Sequence, residues 1–186
     1  MIVIPIPRPR PVLPPVRTLH EGDWLRLRVC GQWEYAERTR ASGAVVIVAL
    51  TPADEVLLVE QFRVAVASWT IEMPAGLVGD GAGEDGEDAL RAAARELEEE
   101  TGWRPARVSF LHEGPSSAGM SNEQIAFVRA HDLTRTGPGG GDASEDIRVH
   151  AVPRAQAHAW LRGCAQAGYS IDPKLFAGLW FLDHPS

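Results

Sequence analysis

Arg95-Glu96-Leu97-Glu98-Glu99-Glu100-Thr101-Gly102-Trp103 is the stretch on which the reading of this chain turns. It ends a helical pattern. Leu90, Ala93, Ala94 and Leu97 fall at i, i+3, i+4 and i+7 as one apolar stripe, and Gly102 is placed to stop the helix. Asp85, with Asp88 three residues on, is the expected N-terminal cap. Glu96, Glu98, Glu99 and Glu100 crowd the last turns, where the helix dipole is negative and disfavours each exposed unpaired acid by roughly 0.3–1 kcal/mol. Glu96 and Glu100 are also like charges at i, i+4, which adds about 0.2–0.5 kcal/mol of strain. Arg95 can pair with Glu99, but a single arginine does not neutralise four acids. Two readings compete: a solvated charged face, or a ligand set. Glu96, Glu99 and Glu100 at i, i+3 and i+4 project from the face opposite the stripe, with the oxygen donors that Mg²⁺ or Mn²⁺ prefers.

The spacing decides between them. Reading outward gives Gly81, five residues, Glu87, seven residues, then Arg95 to Trp103. This matches the Nudix signature at every fixed position, and the chain resembles Nudix hydrolases. The resemblance implies an α/β protein with an α/β/α sandwich around a mixed sheet, and a loop, helix and loop holding divalent metal at a diphosphate. Glu96 and Glu100 would be ligands with Glu99 beside them, Arg95 would orient the acids, and Glu87 would support the loop or an outer metal. Pro74-Ala75-Gly76-Leu77 is similar to the entrance of this loop in related enzymes. In that alignment Gly76 replaces Gly81 as the structural glycine, the loop carries five extra residues, and the Ala75 carbonyl is a further ligand. Gly81-Ala82-Gly83-Glu84-Asp85-Gly86 also spells GxGxxG, but Glu84 and Asp85 would repel a pyrophosphate, so a dinucleotide fold is rejected.

The resemblance runs from about Val45 to Leu182 and is strongest to ADP-ribose pyrophosphatases. Val56-Leu57-Leu58-Val59-Glu60-Gln61-Phe62-Arg63 is similar to the strand whose arginine reaches the substrate phosphates, and Ile71-Glu72-Met73-Pro74-Ala75-Gly76 to the strand entering the box. Glu145-Asp146-Ile147-Arg148-Val149-His150 is similar to the segment beside the catalytic loop. In-line attack on phosphorus needs a carboxylate near the water, and a mobile loop can deliver it. Glu145 is the expected base, with Asp142 and Asp146 as rivals. Ser116 to Glu123 resembles a substrate segment whose marker proline is replaced here by Ala118, which leaves other ADP-sugars and GDP-sugars open. Arg63, Glu72, Trp33, Gly119, Met120 and Glu123 are the expected substrate contacts. Glu123 reads equally as a further ligand, a ribose contact or a surface acid. Trp24, Trp33 and Trp69 are candidate stacking faces for a base, although core packing is the commoner fate of tryptophan.

The rest of the chain fits one enzyme domain with a small extension. Residues 1–18 hold six of the fourteen prolines and read as an extended arm or a loose terminus. Leu25–Cys30 and Gln32–Arg40 read as strands about Gly31, giving a small N-terminal β unit over residues 1–42 ahead of a hydrolase domain over 43–186. By resemblance that unit forms a homodimer. Ala44–Leu50 and Val56–Gln61 read as a hairpin about the turn Thr51–Glu55. Trp69–Met73, Val108–Leu111, Gln124–Ala130 and Ile147–Val152 read as strands, the last two joined by a flexible Gly137-Pro138-Gly139-Gly140-Gly141 loop. Arg154–Arg162 and Pro173–Leu182 read as helices. This mixture suggests a mixed sheet with helices on both faces. A formal net charge of -7 argues against duplex nucleic acid as a partner. No apolar run approaches the roughly 20 residues of a membrane span. Cys30 and Cys164 signal neither zinc nor a disulfide, and a cytoplasmic location is expected. The expected reaction is metal-dependent hydrolysis of ADP-ribose, or of another derivative such as GDP-mannose; a non-catalytic nucleotide-binding regulator is the alternative from a different class.

Overall fold

The computed structural model describes residues 8–79, 88–141 and 145–184. Thirteen short strands and three α-helices are assigned in chain order: β1 (Val16–Glu21), β2 (Leu25–Cys30), β3 (Trp33–Arg38), β4 (Gly43–Ala49), β5 (Glu55–Arg63), β6 (Ser68–Glu72), β7 (Ala75–Val78), α1 (Ala89–Thr101), β8 (Trp103–Arg104), β9 (Arg107–Pro115), β10 (Gln124–His131), β11 (Thr134–Arg135), β12 (Arg148–Pro153), α2 (Ala157–Gln166), β13 (Ser170–Ile171) and α3 (Lys174–Asp183). Two four-stranded mixed sheets form the body, in the orders β7-β4-β10-β9 and β12-β5-β6-β13. β1, β2 and β3 form a separate antiparallel sheet.

β4 explains the layering. Val45 to Ala49 are all buried because both faces of this strand are covered. Val45, Ile47 and Ala49 pack with Ala92, Ala93 and Leu97 of α1. Val46 and Val48 point the other way, toward Leu161 of α2 and Leu175, Leu179 and Leu182 of α3. Each such side chain stabilises the fold by about 1.5–3 kcal/mol through burial. The expected helix–sheet–helix arrangement is therefore present, with two sheets in the middle instead of one.

The expected hairpin is not formed. Its turn is: the Thr51 amide donates to the Glu55 carbonyl at 2.8 Å, and Asp54 takes φ 58°. The strands then part into different sheets, sharing only a bridge between Leu50 and Val56. A strand has two edges. Those of β4 are taken by β7 and parallel β10, and those of β5 by β6 and β12. β1, read from sequence as arm, is the edge strand of the N-terminal sheet, beyond an exposed segment at residues 8–15.

Helix α1 departs from its expected cap and stripe. Asp88 itself is the N-cap and accepts from the Leu90 and Arg91 amides at 2.9 Å each, while Asp85 lies outside the described residues. The buried face runs through Ala92, Ala93 and Leu97, and Leu90 is exposed. Gly102 closes the helix as expected, in the left-handed region at φ 71°.

The glycine loop after β11 is more than a spacer. The Thr136 and Gly137 amides donate to the Gly102 carbonyl at 2.8 and 3.2 Å, Gly140 to Glu100 at 2.7 Å and Gly141 to Glu99 at 3.1 Å. These bonds satisfy carbonyls that a helix C-terminus otherwise leaves without partners. Gly139, at φ 74°, has no room for a side chain, because a Cβ would overlap the Thr101 and Glu100 backbone. A Cβ on Gly137 would meet nothing within 4 Å. Gly139→Ala is therefore expected to lower stability in urea by about 1–3 kcal/mol or more, the range for a strained backbone. Gly137→Ala should stay within roughly 0.5 kcal/mol of the parent, as an open surface site does. Equal effects at the two positions would contradict this docking.

Candidate active site

The four acids of α1 separate according to their partners. Glu98 turns outward to a two-pronged pair with Arg104, both contacts at 2.7 Å. Glu99 accepts from Arg95 at 3.2 Å and stays half exposed at the side chain. Glu96 also accepts from Arg95, at 3.0 Å, but lines a cavity of about 360 Å³ together with Glu100. The expected convergence of Glu96, Glu99 and Glu100 is thus reduced to Glu96 and Glu100. At the helix end a 100° step per residue sends Glu99 to the flank that Arg95 occupies.

Glu100 is only 3% exposed, and the Ala75 amide donates to its carboxylate at 3.1 Å. Burial pushes its carboxyl well above the usual carboxylate range. The neighbouring Glu96 and Glu145 charges push the same way, while the Ala75 amide and Arg63 pull it down. Gly76 sets how close the two elements come: a Cβ there would overlap the Glu96 carboxylate. Gly76 therefore meets the steric need of the structural glycine. Gly81, Glu87 and the GxGxxG segment lie outside the described residues.

The cavity opens where the two sheets part. Between β6 and β7 the chain crosses from one sheet to the other through Met73 and Pro74, so Glu72 and Ala75 stand on opposite sides of the break. Ala75 and Gly76 line the cavity from β7, and Gln61, Arg63 and Glu72 line it from β5 and β6. Arg63 donates from Nε and Nη2 to the two Glu72 oxygens at 2.7 and 2.6 Å. That bond, ahead of any other influence, strengthens the hold of the guanidinium on its proton.

Glu145 also lines the cavity, and a Cβ on Gly141 would overlap its side chain. Of its rivals, Asp146 faces a different hollow with Arg135 and Arg148, and Asp142 lies outside the described residues. Glu123 lines the opposite wall and pairs with Arg38 of β3 at 2.5 Å. Trp33, Gly119 and Met120 are not brought into the cavity by this chain; Trp33 is 60% and Met120 72% exposed. Trp24 and Trp69 do not line it either: Arg40 lies over Trp24 at 4.8 Å, and Phe62 meets Trp69 edge-on at 5.7 Å.

Sequence reasoning missed Arg38 and Lys174, both in the cavity wall. Arg38 sits in the same strand as Trp33, which drew attention for its ring, and its ion-pair partner is remote in sequence. Lys174 carries a signal that could have been read, since it is the only lysine in the chain.

The donor set suits a hard divalent cation. Among the described residues no three Asp, Glu, His or Cys side chains gather closely enough to cage an ion alone. Mg²⁺ is usually held by one or two carboxylates, with waters and substrate phosphates completing its shell. Glu96 and Glu100, which line the cavity with Ala75, are carboxylates of that kind, and a buried carboxylate beside a second one gains most from a bound cation.

The family model described as NUDIX domain matches residues 40–167. An ADP-ribose pyrophosphatase of Escherichia coli (strain K12) is 37% identical over 130 residues, covering 63% of this chain and 58% of that protein. The Methanol dehydrogenase activator of Bacillus methanolicus is 35% identical over 105 residues, covering 56% of this chain and 54% of that protein. The match thus spans little more than half the length of these two relatives. A CMP-5'-(N-acetyl-N-hydroxy-3-aminopropyl)phosphonate hydrolase of Streptomyces rubellomurinus is 34% identical over 152 residues, covering 78% of this chain and 71% of that protein. A solved structure described as an ADP compounds hydrolase shares the fold at a TM-score of 0.70 and 21% identity, covering 94% of this chain and 93% of that one. With the domain model spanning well over half its length, this chain belongs to the Nudix family.

Proposed function

We propose that this protein is a metal-dependent pyrophosphohydrolase that cleaves a nucleoside diphosphate sugar, with ADP-ribose, giving AMP and ribose 5-phosphate, as the first substrate to test. The observation that carries the reading is the buried Glu100, grouped with Glu96 and Glu145 in one cavity that also holds Arg38 and Arg63. Acids in such a group are costly unless a cation and an anionic substrate complete them. The identity to an ADP-ribose pyrophosphatase supports the choice of substrate.

In this reading Glu96, Glu100 and the Ala75 carbonyl hold Mg²⁺, or Mn²⁺ in its place. Such an ion, when bound, draws charge from the phosphate oxygens and lowers the pKa of water. Arg95 holds Glu96 and Glu99 in position through a hydrogen bond to each. Glu145 accepts the proton of the attacking water. Arg63, aimed by Glu72, binds diphosphate oxygens, and Arg38 with Glu123 contacts the substrate from the opposite wall.

The N-terminal unit supports a homodimer: Val16, Leu19, Leu25 and Trp33 are exposed along its strands. Trp33, Gly119 and Met120 would then contact substrate only in the assembled form. Sedimentation should give twice the 20.2 kDa chain mass. A monomer at assay concentration would remove the dimer and the role of Trp33 with it. No described helix is long and apolar enough to cross a membrane.

With Mg²⁺, we expect AMP release from ADP-ribose to exceed release from ADP-glucose, GDP-mannose or NADH, and Glu100→Gln to abolish it. Preference for another member would reassign the substrate; silence of the whole panel with Mg²⁺ and Mn²⁺ would favour a binding role. Gly76→Ala, by displacing the Glu96 carboxylate, should lower kcat on the order of 10²-fold, as an ångström of misplacement does.

The metal-free protein should show the Glu100 burden directly. Its carboxyl pKa is raised in the fold, so the stability it contributes is present below the unfolded glutamate value of about 4.3 and lost as pH rises through the folded value. Glu100→Gln should flatten that loss and raise the metal-free Tm at neutral pH. Mg²⁺ should raise the Tm of the parent more than that of the variant. A lower Tm for the variant throughout would show that the charged form is not under strain.

A further inference from the structure

The chain has 18 lysines and arginines, and Lys174 is the single lysine among them. It lines the cavity with Arg63, Glu72 and Glu145, and the reading above gives it no role. We propose that Lys174 is a substrate-contacting residue: its ammonium, held by Asp172, binds a phosphate oxygen of the diphosphate from the α3 wall. This rests on the reading of the cavity as a diphosphate site.

Its place is built from the sheet outward. β13 runs parallel to β6 with Ile171 opposite Ile71, and the Asp172 amide donates to the Ile71 carbonyl at 3.0 Å. Lys174 therefore stands beside the end of the strand that carries Glu72. The Asp172 carboxylate accepts the Lys174 amide at 2.8 Å through one oxygen and the Lys174 ammonium through the other. The acid is largely covered, with 12% of its side chain exposed, while the lysine side chain is 39% exposed. The anchor is fixed and the charge is reachable.

The other two cations of the cavity wall are each held by an acid in the same way. Arg38 pairs with Glu123, and the Arg63 fork is occupied by both Glu72 oxygens. An ammonium has three donors, and Asp172 takes one of them. Position gives a further reason. A cation in the first turn of a helix opposes the dipole, so α3 by itself favours an acid at residue 174. Asp172 offsets that conflict, and an anion in the cavity would remove it.

A lone ε-amine allows a direct test. The intact protein is treated with a limiting amine-acetylating reagent, with and without imidodiphosphate and Mg²⁺, and acetylation of Lys174 is followed by peptide mass spectrometry. A lysine-containing reference peptide added to the reaction is the internal control. At about nine-tenths occupancy Lys174 acetylation should slow about tenfold, with the control unchanged. Lys174→Ala should raise KM about tenfold or more with kcat and Tm close to the parent, and Lys174→Arg should recover part of the loss. Equal acetylation with and without the probe would overturn the proposal. So would a Tm loss in Lys174→Ala with KM unchanged, which would make the pair a helix cap. Protection without hydrolysis of any panel member would keep this inference and remove the pyrophosphatase reading. Hydrolysis with Lys174 unprotected would do the reverse.

Discussion

The cavity depends on one constraint: a carboxylate must stay buried at the negative end of a helix. Glu100 is the residue that does so, and two backbone groups hold it from both sides. Its carboxylate accepts the Ala75 amide of β7, and its carbonyl accepts the Gly140 amide of the glycine loop. The first contact ties the helix to the sheet, and the second ties the glycine loop to the helix. Each contact also demands a residue without a side chain close by. Gly76 lets the Glu96 carboxylate lie against β7, and Gly139 lets the loop lie against the helix end. Acids, glycines and loop therefore form one mechanical unit, although they come from residues 75–76, 96–100 and 137–141.

That unit needs the sheets to separate. Were β4 and β5 paired as a hairpin, one edge of β4 would be lost to β7 or β10, and the two sheets would not part between Glu72 and Ala75. The apolar character of both strands enforces the separation, because each has two buried faces and two paired edges. The hydrophobic pattern thus does more than stabilise the core: it places the break at which the cavity opens.

The helix, its C-cap at Gly102, most strand positions and the acidic cluster at the end of α1 could be read from the sequence, because each is a local pattern with a fixed spacing. The sorting of the acids could not, since it depends on Arg104 for Glu98 and on the Ala75 amide for Glu100. The hairpin was misread for a related reason. Turn chemistry at Thr51–Glu55 is local and correct, but which strand fills each edge is decided by the distant β10 and β12. Leu90 fits the helical stripe by period, yet it lies in the first turn, beyond the part of α1 that the sheet covers. Arg38 reaches the cavity only because β3 is hydrogen-bonded to the segment before β10, through Ala36 and Met120. No period or spacing encodes that contact.

The charge of the cavity wall fits an anionic ligand despite a net charge of -7 for the chain. Among the described residues, five glutamates line it, at positions 72, 96, 100, 123 and 145, against three cations. Taken alone, this balance would repel a diphosphate. The acids are unequally available, however. Glu72 and Glu123 pair with Arg63 and Arg38, and Glu96 pairs with Arg95; Glu96, Glu100 and Glu145 are the group whose charges meet around the buried Glu100 and that a divalent cation would moderate. The cations come from β3, β5 and the start of α3, so the walls belong to the N-terminal unit, the central sheet and the C-terminal helix. A ligand with two phosphates and a metal ion is the kind of partner that satisfies both sets at once. Neither the metal nor the anion would be well held alone, and mutual dependence of the two is the expected thermodynamic behaviour of such a site.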